Sequence, residues 1–173
     1  QLSPDTRMND WDGCSGYHTS DNTILGFSHT HLSGTGCSDY GDFRFMPMVG
    51  EVFWDKGSAE DTHTGYRSAF RHEDEDAKAG YYAVLLDDYN VKVELTTGDR
   101  VGMHRYTFPQ STDAHVLLDM VEGVNNEFVY EAFVDVEGEN AISGFRRTRD
   151  WAENHYLYFY AEFSKPFKTY TLM

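Results

Sequence analysis

Strict two-residue alternation, broken every few residues by turn chemistry, narrows the fold of this chain more than any other feature. Val91, Val93 and Leu95 fall on one side of an extended segment and Lys92, Glu94 and Thr96 on the other, as in a strand with one face in a core and one in water. Comparable short runs rich in Val, Tyr, Phe and Thr occupy 66–71, 81–86, 101–108, 115–120, 128–136, 142–146 and 156–163. Asp87-Asp88-Tyr89-Asn90, Thr97-Gly98-Asp99, Glu137-Gly138-Glu139-Asn140 and Lys165-Pro166 separate neighbouring runs, as hairpin turns do. No stretch of ten or more residues repeats its apolar positions at i, i+3 and i+4, so the helical crossovers of a parallel sheet have nothing to build them. The expectation is an all-β chain, an antiparallel β-sandwich. Its 173 residues with 40% hydrophobic side chains suit one domain with a real core.

Charge and composition remove several function classes. A formal net charge of −15 argues against nucleic acid, whose binding runs on clustered Lys and Arg. No run approaches the roughly 20 apolar residues of a membrane helix, and no signal peptide is visible. The chain opens at Gln1-Leu2-Ser3-Pro4 without a starting Met, which reads as processing or cutting. Cys14 and Cys37 lack partners at zinc-finger spacing and read first as unpaired, partly buried thiols, with a mutual disulfide as the second reading. The acidic balance and the 12 Tyr and 12 Phe residues suit a neutral polyol. Carboxylates accept hydroxyl hydrogen bonds, and aromatic faces cover the apolar side of a sugar ring.

The segment from Leu25 to Asp42, LGFSHTHLSGTGCSDYGD, carries the strongest sign of recognition: an apolar run breaks into His29 and His31 and then into Ser, Gly, Thr and Asp. An H-x-H pair at a strand end can present both imidazoles on one side to a metal, but the barrel hydrolases that use it need alternating strands and helices, which are missing here. The preferred reading is a polar network of one buried and one loop-facing histidine with the hydroxyls of Ser28, Thr30, Ser33 and Thr35. The acidic run His72-Glu73-Asp74-Glu75-Asp76 lacks the ligand order of a calcium loop and reads as a solvated turn. Neither Ser15 nor Ser33 sits in a G-x-S-x-G elbow. Asp10, Asp12, Asp21, Asp39 and Asp42 could supply paired carboxylates, with nothing to say which two would flank a bond.

Three motifs go further: 10-DWDGCSGY-17, 26-GFSHTHLSGTG-36 and 39-DYGD-42. They closely resemble the amino-terminal domain of glycoside hydrolase family 92, exo-acting α-mannosidases. The resemblance continues through Tyr66-Arg67-Ser68, His72-Glu73, Gly80-Tyr81-Tyr82, Arg100-Val101-Gly102, His104-Arg105-Tyr106, Ile142-Ser143-Gly144 and 161-AEFSKPF-167, essentially the whole chain. It implies a β-sandwich followed by a larger (α/α)6 barrel, with calcium-dependent hydrolysis that inverts the anomeric centre. An acid protonates the leaving oxygen while a base activates water on the opposite ring face. Both carboxylates and the calcium ligands are expected in the barrel, outside this chain. The expected partners are a mannose-containing glycan and that carboxy-terminal catalytic domain, and the expected location is secreted or periplasmic, in a bacterium. The position matching Trp11 walls the leaving-sugar subsite, and the candidate substrate-binding residues are Trp11, Asp12, His29 and His31. The family carries a further strand and a Gly-rich loop ahead of the residues matching Leu2 to Thr6; Asp10 stands where glycine is expected, and Phe43-Arg44-Phe45 replaces a more aliphatic strand.

Two function classes follow: a domain of an α-mannosidase that is inactive alone, and a self-sufficient sugar-binding module without catalysis. The length of the encoded protein beyond Met173 separates them.

Overall fold

The computed structural model describes residues 2–7, 11–32, 40–123 and 128–173. The chain divides into two compact units, residues 1–126 and 127–173. Thirteen strands are assigned among the described residues, and the only helical elements there are two three-residue 3-10 turns at Thr62–Thr64 and His72–Asp74.

The first unit is a sandwich. One sheet runs β1 (Ser3–Asp5), β3 (Gly26–Ser28), β4 (Arg44–Val49), β10 (Ala114–Asp119); the other runs β6 (Asp76–Lys78), β7 (Tyr81–Leu86), β8 (Val91–Thr97), β9 (Gly102–Thr107). A short ladder joins β2 (Thr23–Ile24) to β5 (Ser68–Ala69). All pairings are antiparallel. Phe27, Met46 and Met48 from the first sheet meet Val84, Leu86, Val91, Val93 and Leu95 from the second in one core, closed by Ile24, Leu25, Tyr66 and Phe70. The alternation in β8 is as the sequence implies: Val91, Val93 and Leu95 are buried while Lys92 and Thr96 are exposed. Asn90 turns β7 into β8 at φ +50, a conformation Asn tolerates better than most residues.

The second unit is a three-stranded meander of β11 (Phe128–Glu137), β12 (Ala141–Arg149) and β13 (His155–Glu162). Gly138, at φ +68 in the first hairpin, supplies the left-handed turn residue.

Two expectations change in detail. The run 66–71 forms only the two-residue β5, because its side chains are engaged across the chain: the Tyr66 hydroxyl donates to Asp119 (2.6 Å) and Arg67 to Thr23 Oγ1 (2.8 Å). Within the acidic run, which otherwise stands exposed as a solvated turn does, Glu75 is the exception. Glu75 accepts from the hydroxyls of Tyr17 (3.2 Å) and Tyr82 (2.6 Å), and burial together with that carboxylate pushes the Tyr17 hydroxyl up to about 12.

Candidate functional site

Trp11 and Asp12 head a tight turn, and both are exposed; the indole is 70% accessible. An indole that open fills no core, so its place depends on how firmly the turn is held. The turn closes through Gly16 N–H to the Gly13 carbonyl (2.8 Å), and the Gly16 carbonyl accepts from the backbone N–H of Thr6 (2.6 Å), just after β1. Beyond it, Asp21 clamps both sides of the segment, accepting from Arg7 Nε (2.8 Å) and Thr6 Oγ1 (2.8 Å). Cys14 carries a free thiol on this turn.

Gly16 has φ +86, and a Cβ there would lie 2.6 Å from Asp5 Oδ1 and 3.1 Å from His31 Nε2. Only glycine lets the turn sit this close to the pair below it. His31 Nε2 and Asp5 Oδ1 are 2.8 Å apart with both side chains fully buried. Ser28 Oγ donates to the same oxygen (3.0 Å), while Arg44 Nε donates to Asp5 Oδ2 (3.0 Å). Arg44 in turn faces Asp119, 3.7 Å away. Burial works to raise the Asp5 carboxyl, but His31, Arg44 and Ser28 outweigh it and hold the group below the ordinary carboxylate range.

His31 also roots the recognition loop, through an antiparallel bridge to Tyr40. Thr30 and Asp42 stitch the two ends together: Thr30 Oγ1 donates to Asp42 Oδ2 (2.5 Å) and accepts from the Asp42 N–H (3.0 Å). Ser33, Thr35, Cys37 and Asp39, named in the sequence reading, lie outside the described residues, as does Asp10.

His29 goes elsewhere. Its ring stacks on His104 of β9 at 4.9 Å between centroids and 23° between planes, with the two Nε2 atoms 2.8 Å apart. Phe45 meets both rings edge-on, and His104 Nδ1 lies 2.7 Å from the Tyr106 hydroxyl. Burial first, and the neighbouring His31 after it, pull His29 down to about 4. Burial and His29 pull His104 down to about 3. Both rings are therefore neutral at pH 7, one Nε2–H donating to the other's lone pair. Gly102 is the close-packing partner, since a Cβ there would stand 2.5 Å from His29 Cε1.

The two imidazoles thus have separate partners: His31 joins the Trp11 turn to the recognition loop, and His29 ties β3's end to the opposite sheet. Of the other carboxylates considered, Asp21 and Asp42 act as clamps, while Asp12 stands open beside Trp11. Sequence reasoning did not single out Asp5, and it named Gly16, Arg44 and His104 only within motifs, without a role in the site. For His104 a signal existed, because alternation along 102–107 puts it on one face with Tyr106 and leaves Met103 and Arg105 outside. Asp5, in Pro4-Asp5-Thr6, carries the composition of a turn and gave no such signal.

Among the described residues, no group of three His, Cys, Asp or Glu side chains is placed to hold a metal ion.

Residues 1–173 match the family described as the glycosyl hydrolase family 92 N-terminal domain. A family GH92 α-mannosidase from Bacteroides thetaiotaomicron, solved free and in complex with mannoimidazole, superimposes with a TM-score of 0.94 at 41% identity over 97% of this chain. The GH92 glycosyl hydrolase ccman5 shares the fold, with a TM-score of 0.70 at 23% identity over 92% of this chain. This chain spans 22% of the length of each of these solved proteins. An uncharacterized secreted glycosidase of Arthroderma benhamiae is 28% identical over 100 residues, 56% of this chain and 12% of that protein. Matched along its full length, the chain belongs to the glycosyl hydrolase family 92 N-terminal domains.

Proposed function

We propose that this chain is the amino-terminal domain of a calcium-dependent, inverting exo-α-mannosidase that is secreted or periplasmic in a bacterium. It supplies one wall of the substrate pocket where it meets a carboxy-terminal catalytic domain, and it does not hydrolyse glycosides alone. The observation that carries this reading is the Trp11 turn: an exposed indole on a turn that is hydrogen-bonded to Thr6 through Gly16 and packs there on the buried contact of Asp5 with His31. An open aromatic can stack on the apolar face of a sugar, and the Asp12 carboxylate beside it can accept sugar hydroxyls. His29 and His31 serve the same pocket by bracing the loops that carry it. The acid, the base and the calcium ligands belong to the remainder of the protein.

The test is Trp11→Ala in the full-length enzyme, assayed on a mannose disaccharide and on an α-mannoside with a small activated leaving group. Loss of a stacking contact at the leaving sugar is worth roughly 1–3 kcal/mol, so kcat/KM should fall about 5- to 150-fold on the disaccharide and little on the activated substrate. Equal losses on both, or a large drop in Tm, would make Trp11 a structural residue.

A further inference from the structure

One face of the β11–β13 sheet does not look like a solvent face. The register sets Phe133, Phe145 and Tyr158 side by side across the three strands, with Tyr156 and Tyr160 two residues to either side on β13. Phe145 is only 6% exposed because its neighbours lean over it, with centroids 5.7 Å (Phe133) and 4.8 Å (Tyr158) away. Tyr158 and Tyr160 remain 71% and 64% exposed. The wet face of β8, with Lys92, Glu94 and Thr96, shows what this chain otherwise presents to water. Arg147 lies between the rings of Tyr130 and Tyr156, at 4.9 and 5.1 Å from their centroids. At one end of the face a depression of about 620 Å³ opens between Phe128, Tyr130, Arg149 and Asp150; toward the other end the same register brings Asp135, Glu137 and Glu162, all exposed.

We propose that this aromatic face is a docking surface for the carboxy-terminal part of the same polypeptide, with Phe133 and Tyr158 as its central anchors. The proposal rests on the reading above, in which a catalytic domain follows this one. Three observations select that occupant. Most of the length of the solved mannosidase that superimposes at a TM-score of 0.94 lies outside the part matched here, so a large body of protein is available. The face includes Tyr156, Tyr158 and Tyr160 of β13, and a catalytic domain tethered to this one would meet it at a raised effective concentration. Aromatic side chains and an arginine at the centre, with carboxylates at the margin and a depression for an anchoring side chain, make up the core and rim of a protein interface. A glycan chain would need free ring faces, whereas Arg147 lies over Tyr156, and Phe133 and Tyr158 tilt onto Phe145.

Hydroxyl-radical footprinting of the full-length protein tests this, with Trp54 and Met103, both exposed in the first unit, as open references and Tyr66 as the buried one. Tyr156, Tyr158 and Tyr160 should be oxidised at least ten-fold more slowly than open tyrosine, close to Tyr66, at every protein concentration. The double variant Phe133→Asp/Tyr158→Asp should restore labelling of Tyr156 and Tyr160 several-fold while Tyr66 stays protected. Labelling at the open rate would overturn the proposal. So would protection lost on dilution, which would mean a second copy, or protection that appears only with added mannan, which would mean a glycan. Labelling reads docking whatever the enzyme cleaves, so a protected face in a protein without α-mannosidase activity would sink the proposed function and leave the docking surface standing.

Discussion

Asp5 carries more of the described site than any other residue. It is buried, its two oxygens face His31, Ser28 and Arg44, and the Trp11 turn rests on it through Gly16. Removing one partner of a buried pair leaves the other charge without compensation and costs about 3–5 kcal/mol; Asp5→Asn should lower the unfolding free energy at pH 7 by that order in a denaturant titration. A loss below about 1 kcal/mol would put the pair on the level of a surface salt bridge. Because the folded Asp5 pKa is lowered, its stabilisation is complete above the ordinary value of 3.8 and is lost as pH falls through the folded value. His29 and His104 act in a higher window. Their folded values, about 4 and about 3, lie below the ordinary 6.5, so between them the unfolded chain binds more protons and stability falls as pH falls from about 6.5. At about 1.4 kcal/mol per pKa unit, the His29 shift corresponds to about 3 kcal/mol when fully expressed. The urea midpoint should therefore decline from pH 7 to pH 5, and His104→Gln should shrink that decline; an unchanged pH dependence in the variant would remove the pair from the account.

At the scale of elements, the hairpins and β10 were legible, and β1 and β4 of the first sheet were not. Alternation and turn residues marked β7, β8, β9 and the β11–β13 meander, because in those segments local pattern and tertiary environment agree. β4 reads Arg-Phe-Met-Pro-Met-Val, and neither a buried arginine nor an internal proline belongs to a strand pattern. Arg44 is accepted because Asp5 and Asp119 flank it; Pro47 is accepted beyond the Phe27↔Phe45 pair, the register point that joins β4 to β3, where a missing N–H costs no ladder bond on that side. β1 contains Pro4 for a similar reason of position, as the end strand of its sheet. Trp11 and the histidine loop were legible from residue type, but the support beneath them depends on contacts between residues 5, 16, 31 and 44, and no local window holds those. In the meander the informative residue is Gly144, where a Cβ would stand 2.2 Å from Phe159 Cε1 and 2.7 Å from the Phe133 carbonyl oxygen. The second neighbour is backbone and cannot swing away, so Gly144→Ala should destabilise by about 1–3 kcal/mol, the usual cost of overpacking. Gly98→Ala meets nothing within 4 Å and should stay within about 0.5 kcal/mol of wild type. Equal Tm changes for the two substitutions would show that Phe159 does not close over the glycine.

For the whole molecule, the question is whether residues 1–173 can do chemistry unaided. Glycoside hydrolysis with inversion needs two carboxyl groups facing each other across a pocket, roughly 6.5–9.5 Å apart, one protonated and one ionised. The buried or clamped carboxylates described here are already committed: Asp5 to His31 and Arg44, Asp21 to Arg7 and Thr6, Asp42 to Thr30, Asp119 to Tyr66 and Arg44, Glu75 to Tyr17, Tyr82 and His72. Asp5 and Asp119 are both held below the ordinary carboxylate range, the wrong direction for a general acid at neutral pH. Asp12 is open beside Trp11, and one exposed carboxylate on a turn can bind a hydroxyl but cannot serve as both acid and base. Residues 1–173 produced alone are therefore expected to show no hydrolysis of an aryl α-mannoside above the uncatalysed rate, with or without calcium, whereas under the proposed function the full-length protein is expected to turn the substrate over in the same conditions. Loss of either catalytic group costs orders of magnitude, so the comparison needs no fine discrimination. Turnover by residues 1–173 that survives repeated purification and is abolished by Asp12→Asn would place a catalytic carboxylate on the Trp11 turn, and would overturn the assignment of the chemistry to the remainder of the protein.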